Sequence, residues 1–289
     1  ARLRKPKPDP VQMRGPVKAG VPSVYTESDR NGVVLAVHGM AGGVGATTFA
    51  VNLAYELATS DKVANHRVCL LDLDFQFGSV ATFLDLDRKE AVYELLSDTA
   101  SMDSAAFLAA LQGYKDKVQV LTAPSEMLPL DIVSPEDITA ILEVARYNFD
   151  FVVIDMPTTV CAWTETVLEA AQVYFAPIEL DMRSAQNCLR FLRALKAEDL
   201  PYEKVQFAIN RAPGFTDMNG KARAKRLAES LGVEINIMLP DGGKAVASAC
   251  DEGQPLAESA AKNALRREIK NIAQTIFDAV IADKAAVAQ

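Results

Sequence analysis

Short apolar runs recur along the chain at Val33–Val37, Val68–Leu73, Val118–Leu121, Phe151–Ile154, Val173–Ala176, Val205–Ile209 and Ile235–Leu239. Several are rich in Val, Ile and Leu without polar alternation, the pattern of parallel strands covered on both faces. Between most of them lie stretches with helical spacing: Thr47–Ala58, Asp103–Gln112, Pro135–Tyr147, Trp163–Ala171, Ser184–Ala197 and Lys221–Leu231. A last helix is expected from about Lys262 to Asp283, where Ile269, Ile272, Ile276, Phe277 and Val280 fall on one face. Ser134-Pro135-Glu136-Asp137 supplies a capping residue and then proline in the first turn, a start signal for its helix. Strand alternating with helix predicts an α/β fold, a doubly wound and mostly parallel sheet flanked by helices. With no internal repeat or linker, residues 31–289 are expected to form one domain.

In such a sheet, ligands bind beyond the carboxyl ends of the strands. Five strand ends carry polar or glycine-rich residues: His38 to Thr48, Asp72-Leu73-Asp74 with Gln76 and Gly78, Asp155-Met156-Pro157, Asn210-Arg211, and Pro240-Asp241. The segment Gly42-Gly43-Val44-Gly45-Ala46-Thr47-Thr48 joins a buried strand to a helix. A turn of this kind suits a phosphate. Glycines let the backbone approach closely, successive N–H groups form a nest, and the helix N-terminus adds partial positive charge. The Thr47 hydroxyl is placed to ligate Mg²⁺.

Composition narrows the class. The chain has 289 residues, 49 % of them apolar and 24 % charged, which excludes collagen-like, wholly disordered and disulfide-scaffold proteins. The net charge of −8 is unevenly spread. Residues 1–30 hold seven basic and three acidic residues and five prolines, and are expected to be a basic, Pro-rich linker or tail. The remainder carries 23 basic and 35 acidic residues, a body at −12 that argues against coating DNA. The basic runs Lys221, Arg223, Lys225, Arg226 and Arg266, Arg267, Lys270 are therefore read as solvated helix faces. Cys69, Cys161, Cys188 and Cys250 lack metal-site spacing and are expected to be buried thiols. Gly32 to Tyr55 is free of charge and long enough to span a bilayer, but its glycines, threonines and Asn52 break it into strand, loop and helix, so no transmembrane segment is expected. The chain begins with Ala, which is read as the start of a piece that another segment once preceded.

With these residues in view, the loop resembles the deviant Walker A motif of the ParA/MinD family of P-loop ATPases, Lys-Gly-Gly-Val-Gly-Lys-Thr-Thr. Gly42, Gly43, Val44, Gly45, Thr47 and Thr48 match it. Ala41 stands where the family has its signature lysine, which reaches the partner's nucleotide in the dimer, and Ala46 stands where it has the P-loop lysine. Met40 occupies the place of the first glycine of the general P-loop pattern. The resemblance extends to Asp72 and Asp74, the latter as the carboxylate that orients attacking water. It extends to Asp155 as the residue that holds Mg²⁺ through water, and to Asn210, Arg211, Pro240 and Asp241 around adenine. It covers about residues 31–289.

The resemblance implies a homodimer that takes ATP (or ADP) with Mg²⁺. Loss of both lysines weakens binding and leaves hydrolysis slow or absent, because phosphoryl transfer depends on positioned charge. An atypical loop of this sort is similar to that of the TadZ/CpaE branch, pilus-assembly (Tad/Flp) proteins in which a receiver-like domain precedes the ATPase-like domain. That branch implies a localisation and scaffold role, with components of the pilus secretion machinery as partners, at the cytoplasmic membrane face near a cell pole. Residues 1–30 would then be the linker from the receiver-like domain. Two alternatives stay open: an active ParA/MinD-like ATPase that positions DNA or the division site, and a nucleotide-free constitutive dimer. Lys244 and Arg183 are candidate replacements for the missing charge, and Trp163 and Cys161 are expected mainly to pack.

Overall fold

The computed structural model describes residues 30–60, 66–214 and 216–287. The chain enters with β1 (Val33–His38), passes through a glycine-rich loop into α1 (Ala46–Ala58), and returns as β2 (Val68–Asp72). Two short helices, α2 (Val80–Phe83) and α3 (Glu90–Ser97), then α4 (Ser104–Ala110), lead to a hairpin of β3 (Gln112–Tyr114) and β4 (Val118–Leu121). The rest alternates: α5 (Pro135–Asn148), β5 (Phe151–Met156), α6 (Thr164–Ala170), β6 (Val173–Ile178), α7 (Met182–Ala197), β7 (Val205–Ala212), α8 (Met218–Leu231) and β8 (Ile237–Pro240). The chain closes with α9 (Lys244–Asp251), α10 (Leu256–Ser259) and α11 (Ala264–Val287). The strands form one sheet in the order β3-β4-β2-β5-β1-β6-β7-β8, parallel except for the β3–β4 pair.

The continuous apolar strands are explained by burial on both faces. In β1, Val34 and Ala36 join a core under α3 to α8, whereas Leu35 and Val37 join a second core under α1, α2 and α9 to α11. Successive side chains of a strand point to opposite faces, so both sets must be apolar. Helix starts follow side-chain caps. Ser134 and Asp137 form a reciprocal capping box at α5, Asp181 caps α7 and Asp217 caps α8. Asp181 and Asp217 start α7 and α8 earlier than the expected Ser184 and Lys221. The expected helix Asp103–Gln112 stops at Ala110, because Gln112 pairs with Val120 in the hairpin. That hairpin turns through Lys115 and Asp116, both left-handed (φ 47° and 54°), with no glycine to announce it. The charge-free stretch Gly32–Tyr55 is strand, loop and helix as expected, and among the described residues no helix is long and apolar enough to cross a membrane. The expectation of four buried thiols is corrected: Cys69 and Cys188 are buried, but Cys161 and Cys250 lie on loop and helix positions only partly covered. The expected linker at residues 1–30 lies outside the described residues except for Arg30, which pairs with Asp150.

Helix α11 is tied to α1 by Arg266, whose Nε donates to Glu56 Oε1 at 2.5 Å and whose Nη2 donates to Oε2 at 3.2 Å. Glu56 is buried, and burial pushes its carboxyl above the ordinary value while Arg266 pulls it back. Arg266→Ala would leave a buried charge without its partner. The expected cost is about 3 kcal/mol of unfolding free energy, read as a lower urea midpoint with unchanged slope. A midpoint equal to that of the parent would show that Glu56 finds water or protonates at no cost.

Candidate functional site

The site is built on the switch in strand order around β1, where connections lead away in opposite directions: β5 lies on one side of it and β6 on the other. His38 closes β1. Its Nδ1 lies 2.7 Å from the Tyr174 hydroxyl and its Nε2 3.3 Å from the Thr158 carbonyl. A carbonyl only accepts, so Nε2 carries the proton and the Tyr174 hydroxyl donates to Nδ1. Burial lowers the His38 pKa to about 4, which keeps the ring neutral at physiological pH. His38 thereby joins β1, β6 and the loop after β5 directly beneath the glycine loop. Sequence reasoning missed this role, since nothing in the local pattern marks it.

Three contacts hold the loop. The Met40 N–H donates to the Pro177 carbonyl (3.0 Å), Asn187 Nδ2 donates to the Met40 carbonyl (2.8 Å), and Asn210 Nδ2 donates to the Val44 carbonyl (2.8 Å). Ala41 and Val44 are buried, whereas Gly42 and Gly43 are exposed at the crest. Gly45 has φ 87°, and a Cβ added there would meet Asn210 Nδ2 at 2.5 Å. Gly45→Ala therefore combines a left-handed backbone with a clash against the residue that holds the loop. We expect at least a tenfold loss of nucleotide affinity in this variant, measured by calorimetry; parent-like binding would show that the loop conformation does not matter to the ligand. Helix α1 begins at Ala46, with Thr47 and Thr48 in its first turn. It has no side-chain cap and no acidic residue in that turn, so its first N–H groups are available to an anion.

Behind the loop stand the carboxylates. Asp72 and Asp155 are register partners at the ends of β2 and β5, and both are buried. Asp72 accepts from the N–H groups of Val80 (3.1 Å) and Asp74 (3.3 Å). Burial, with the charge of Asp74 adding to it, raises its pKa to about 7. Asp155 is raised well above the carboxylate range by burial and by Asp72, while the Thr47 hydroxyl beside it favours the charged form. Asp155 Oδ1 is buried with no hydrogen-bond partner among the described residues. Asp74 is half-buried and accepts from the N–H groups of Gln76 (3.3 Å) and Phe77 (3.0 Å), which fixes the turn after β2. Gly78 is required there, because a Cβ would lie 2.5 Å from Asp72 Oδ1.

An orphaned carboxylate oxygen beside a hydroxyl and two further carboxylates fits a hard cation with oxygen ligands. Among the described residues no group of three His, Cys, Asp or Glu is placed to hold a metal ion by itself.

A cavity of about 520 Å³ opens beside the loop, lined by Gly45 and Thr48 and by Asn210, Arg211, Asp241 and Lys244. The sequence-selected residues Asn210, Arg211 and Asp241 therefore converge with the loop. Pro240 does not border this cavity; it pairs with Ala212 in the β7–β8 ladder. Arg211 is left-handed (φ 48°) and forms an ion pair with Glu179. Arg183 lies outside the cavity at the start of α7, 3.5 Å from Asp181. Trp163 is buried in the core, as expected. A larger cavity, about 780 Å³, lies between α6 and α7 and is bordered by none of the loop glycines.

A doubly wound sheet with a glycine loop opening a helix, and two acidic strand ends behind it, defines a nucleotide-binding protein of the P-loop class. The sequence model of the family described as an AAA domain (AAA_31) matches residues 32–203. The septum site-determining protein MinD of Synechocystis sp. is 27% identical over 230 residues, spanning 77% of this chain and 81% of that protein. A ParA family ATPase from Chlorobium tepidum TLS superposes with a TM-score of 0.74 at 18% identity, covering 84% of this chain and 98% of that one. The MinD protein of Pyrococcus horikoshii OT3, solved with Mg-ADP, gives 0.66 at 15% identity, covering 85% and 95%. The chain belongs to the ParA/MinD family of P-loop ATPases.

Proposed function

We propose that this protein is a localisation and scaffold factor of pilus assembly (Tad/Flp) whose ATP-binding domain binds nucleotide weakly and hydrolyses it slowly or not at all. One observation carries the reading. A glycine-rich loop opens a helix in front of two buried strand-end carboxylates, while Ala41 and Ala46, which stand where the resembling motif has its lysines, end in a methyl group. A domain that retains the site and lacks its cations suits a ligand-sensing scaffold better than a motor. It is also the trait of the TadZ/CpaE branch that the sequence resembles.

In this reading the N–H groups of Gly42 to Thr48 cradle phosphate, and Asn210, Arg211 and Asp241 border the base. Thr47 and Asp155 would hold Mg²⁺, the latter through water, and the ion would supply charge that neutralises the phosphate oxygens. Asp74 orients water in whatever hydrolysis remains, with Asp72 behind it. The protein acts as a homodimer with pilus secretion components, at the cytoplasmic membrane face near a pole. Residues 1–30 link it to an upstream receiver-like domain, residues 31–289 form the ATPase-type domain, and DNA is not its partner.

A second reading has support in Thr47, Asp74 and Asp155, which all remain in place: an active ATPase positioning DNA or the division site, as the names of its MinD and ParA relatives suggest. Titration with ATP and Mg²⁺, followed by phosphate release, separates these. Loss of one charge-assisted bond predicts affinity about 10- to 100-fold below that of a lysine-bearing relative. Turnover is expected to be at least about 100-fold lower. Turnover equal to such a relative favours the second reading. No binding at millimolar ATP leaves a nucleotide-free dimer.

A further inference from the structure

The cavity beside the glycine loop is lined by a cation, Lys244, that the ParA/MinD motif does not include. We propose that Lys244 binds the nucleotide's phosphate chain at the first turn of α1, supplying from the cavity lining the positive charge that Ala46 lacks. This rests on the reading that the cavity takes a nucleotide.

Position comes first. Gly45, Thr48, Gly243 and Lys244 line the same cavity, so the lysine borders the space that the loop opens onto. The second observation is availability. Two basic residues border the cavity. Arg211 is engaged by Glu179, whereas Lys244 is exposed and has neither an ion pair nor a hydrogen bond among the described residues. The third is a fixed base. The Gly243 N–H donates to Asp241 Oδ1 (2.8 Å), and Asn263 Nδ2 donates to the Gly242 carbonyl (2.9 Å). Asn263 Oδ1 also accepts from the Leu265 N–H (2.9 Å), which anchors the turn to the start of α11. The backbone of Lys244 is thus held while its four-carbon stem is free to swing, the property that makes lysine a point-charge binder of phosphate.

Electrostatics gives the reason to need it. Asp72, Asp74 and Asp155 stand behind the loop and Asp241 at the cavity mouth, and the chain from Gly39 to Tyr55 holds no lysine or arginine. The loop therefore offers a triphosphate no side-chain cation of its own, and of the two basic residues that line the space Lys244 is the uncommitted one.

The test compares the full chain with Lys244→Ala, Lys244→Arg and Lys244→Ala in an Ala46→Lys background. Each is titrated by calorimetry in Mg²⁺ with ATP, ADP, AMP and adenosine. Lys244→Ala is expected to weaken ATP about 10- to 100-fold and to leave adenosine unchanged. Lys244→Arg should retain most of the affinity. The loss should shrink in the Ala46→Lys background, where a second cation serves the same phosphates. Because Lys244 is exposed, equal melting temperatures of parent and variant are expected and control for folding. Equal ATP affinity of the parent and Lys244→Ala overturns the proposal, as does an equal loss for adenosine, which would mark a base-side contact. If the parent binds none of the four compounds, the nucleotide reading itself fails, and the proposal with it.

Discussion

Ala46→Lys is expected to raise ATP hydrolysis by about 10² to 10³-fold and to tighten ATP by about 10- to 100-fold. Ala46 opens α1 next to Gly45, and its half-buried methyl adjoins a loop two of whose carbonyls are already committed, Met40 to Asn187 and Val44 to Asn210. The N–H groups of the nest are left for the ligand, and what the site lacks is a preorganised donor that follows charge as it develops on the transferred phosphoryl group. Thr47, Asp74 and Asp155 are in place to use it. Phosphate release at saturating Mg-ATP measures turnover, and calorimetry measures affinity. Tighter binding without turnover would place the remaining defect in the turn Asp74–Gly78. No change in either quantity would mean that phosphate does not enter this loop.

Asp155→Asn is expected to have opposite effects on stability and on ligand binding. Asp72, near 7, and Asp155, well above the carboxylate range, both hold protons in the folded protein that the unfolded chain releases near pH 4. Folded-state pKa values raised in this way mean that stability is greatest below about pH 4 as far as these groups are concerned. That contribution is lost as pH rises through about 7. The melting temperature of the nucleotide-free protein should therefore fall between pH 5 and about 7.5, with a few kcal/mol at stake. Asparagine keeps the shape of Asp155 and removes its charge, so the variant should melt higher than the parent near pH 7.5 and show a shallower profile. The same variant should lose the Mg²⁺-dependent part of ATP affinity, because the carboxylate with the orphaned Oδ1 is the one that fits the ion's water shell. A parent-like pH profile in Asp155→Asn would show that the two carboxyl groups are not repelling each other. Retained Mg²⁺ dependence would move the ion elsewhere.

Much of this could be read from the residues alone. Continuous Val/Ile/Leu runs separated by amphipathic stretches specify strands buried on both faces, and the glycine-rich turn between the first strand and its helix marks the ligand edge. Ser134 followed by Pro135 announced α5. Other features were hidden for identifiable reasons. The β3–β4 hairpin turns through left-handed Lys115 and Asp116, residues that carry no turn signature. Helices α2, α9 and α10 are too short for a periodic pattern and depend on packing against α1 and α11.

At the site, the identity of the chemistry was a matter of sequence: which positions are glycine, which are acidic, and where two lysines of the resembling family are alanine. Those are properties of side-chain type in order along the chain, and periodicity with turn chemistry suffices to place them at strand ends. Which groups share a space was decided only by the tertiary structure. Register sets Asp72 opposite Asp155, and burial within the assembled sheet, more than their mutual charge, raises both pKa values. The β6 and β7 crossovers bring Asn187 and Asn210 onto the carbonyls of a loop more than 140 residues away. The anchoring of the Asp241–Gly243 turn to α11 holds Lys244 in the lining of the same cavity as Thr48. Electrostatic and hydrogen-bond energies depend on distance and burial, and neither quantity exists until the sheet has been assembled.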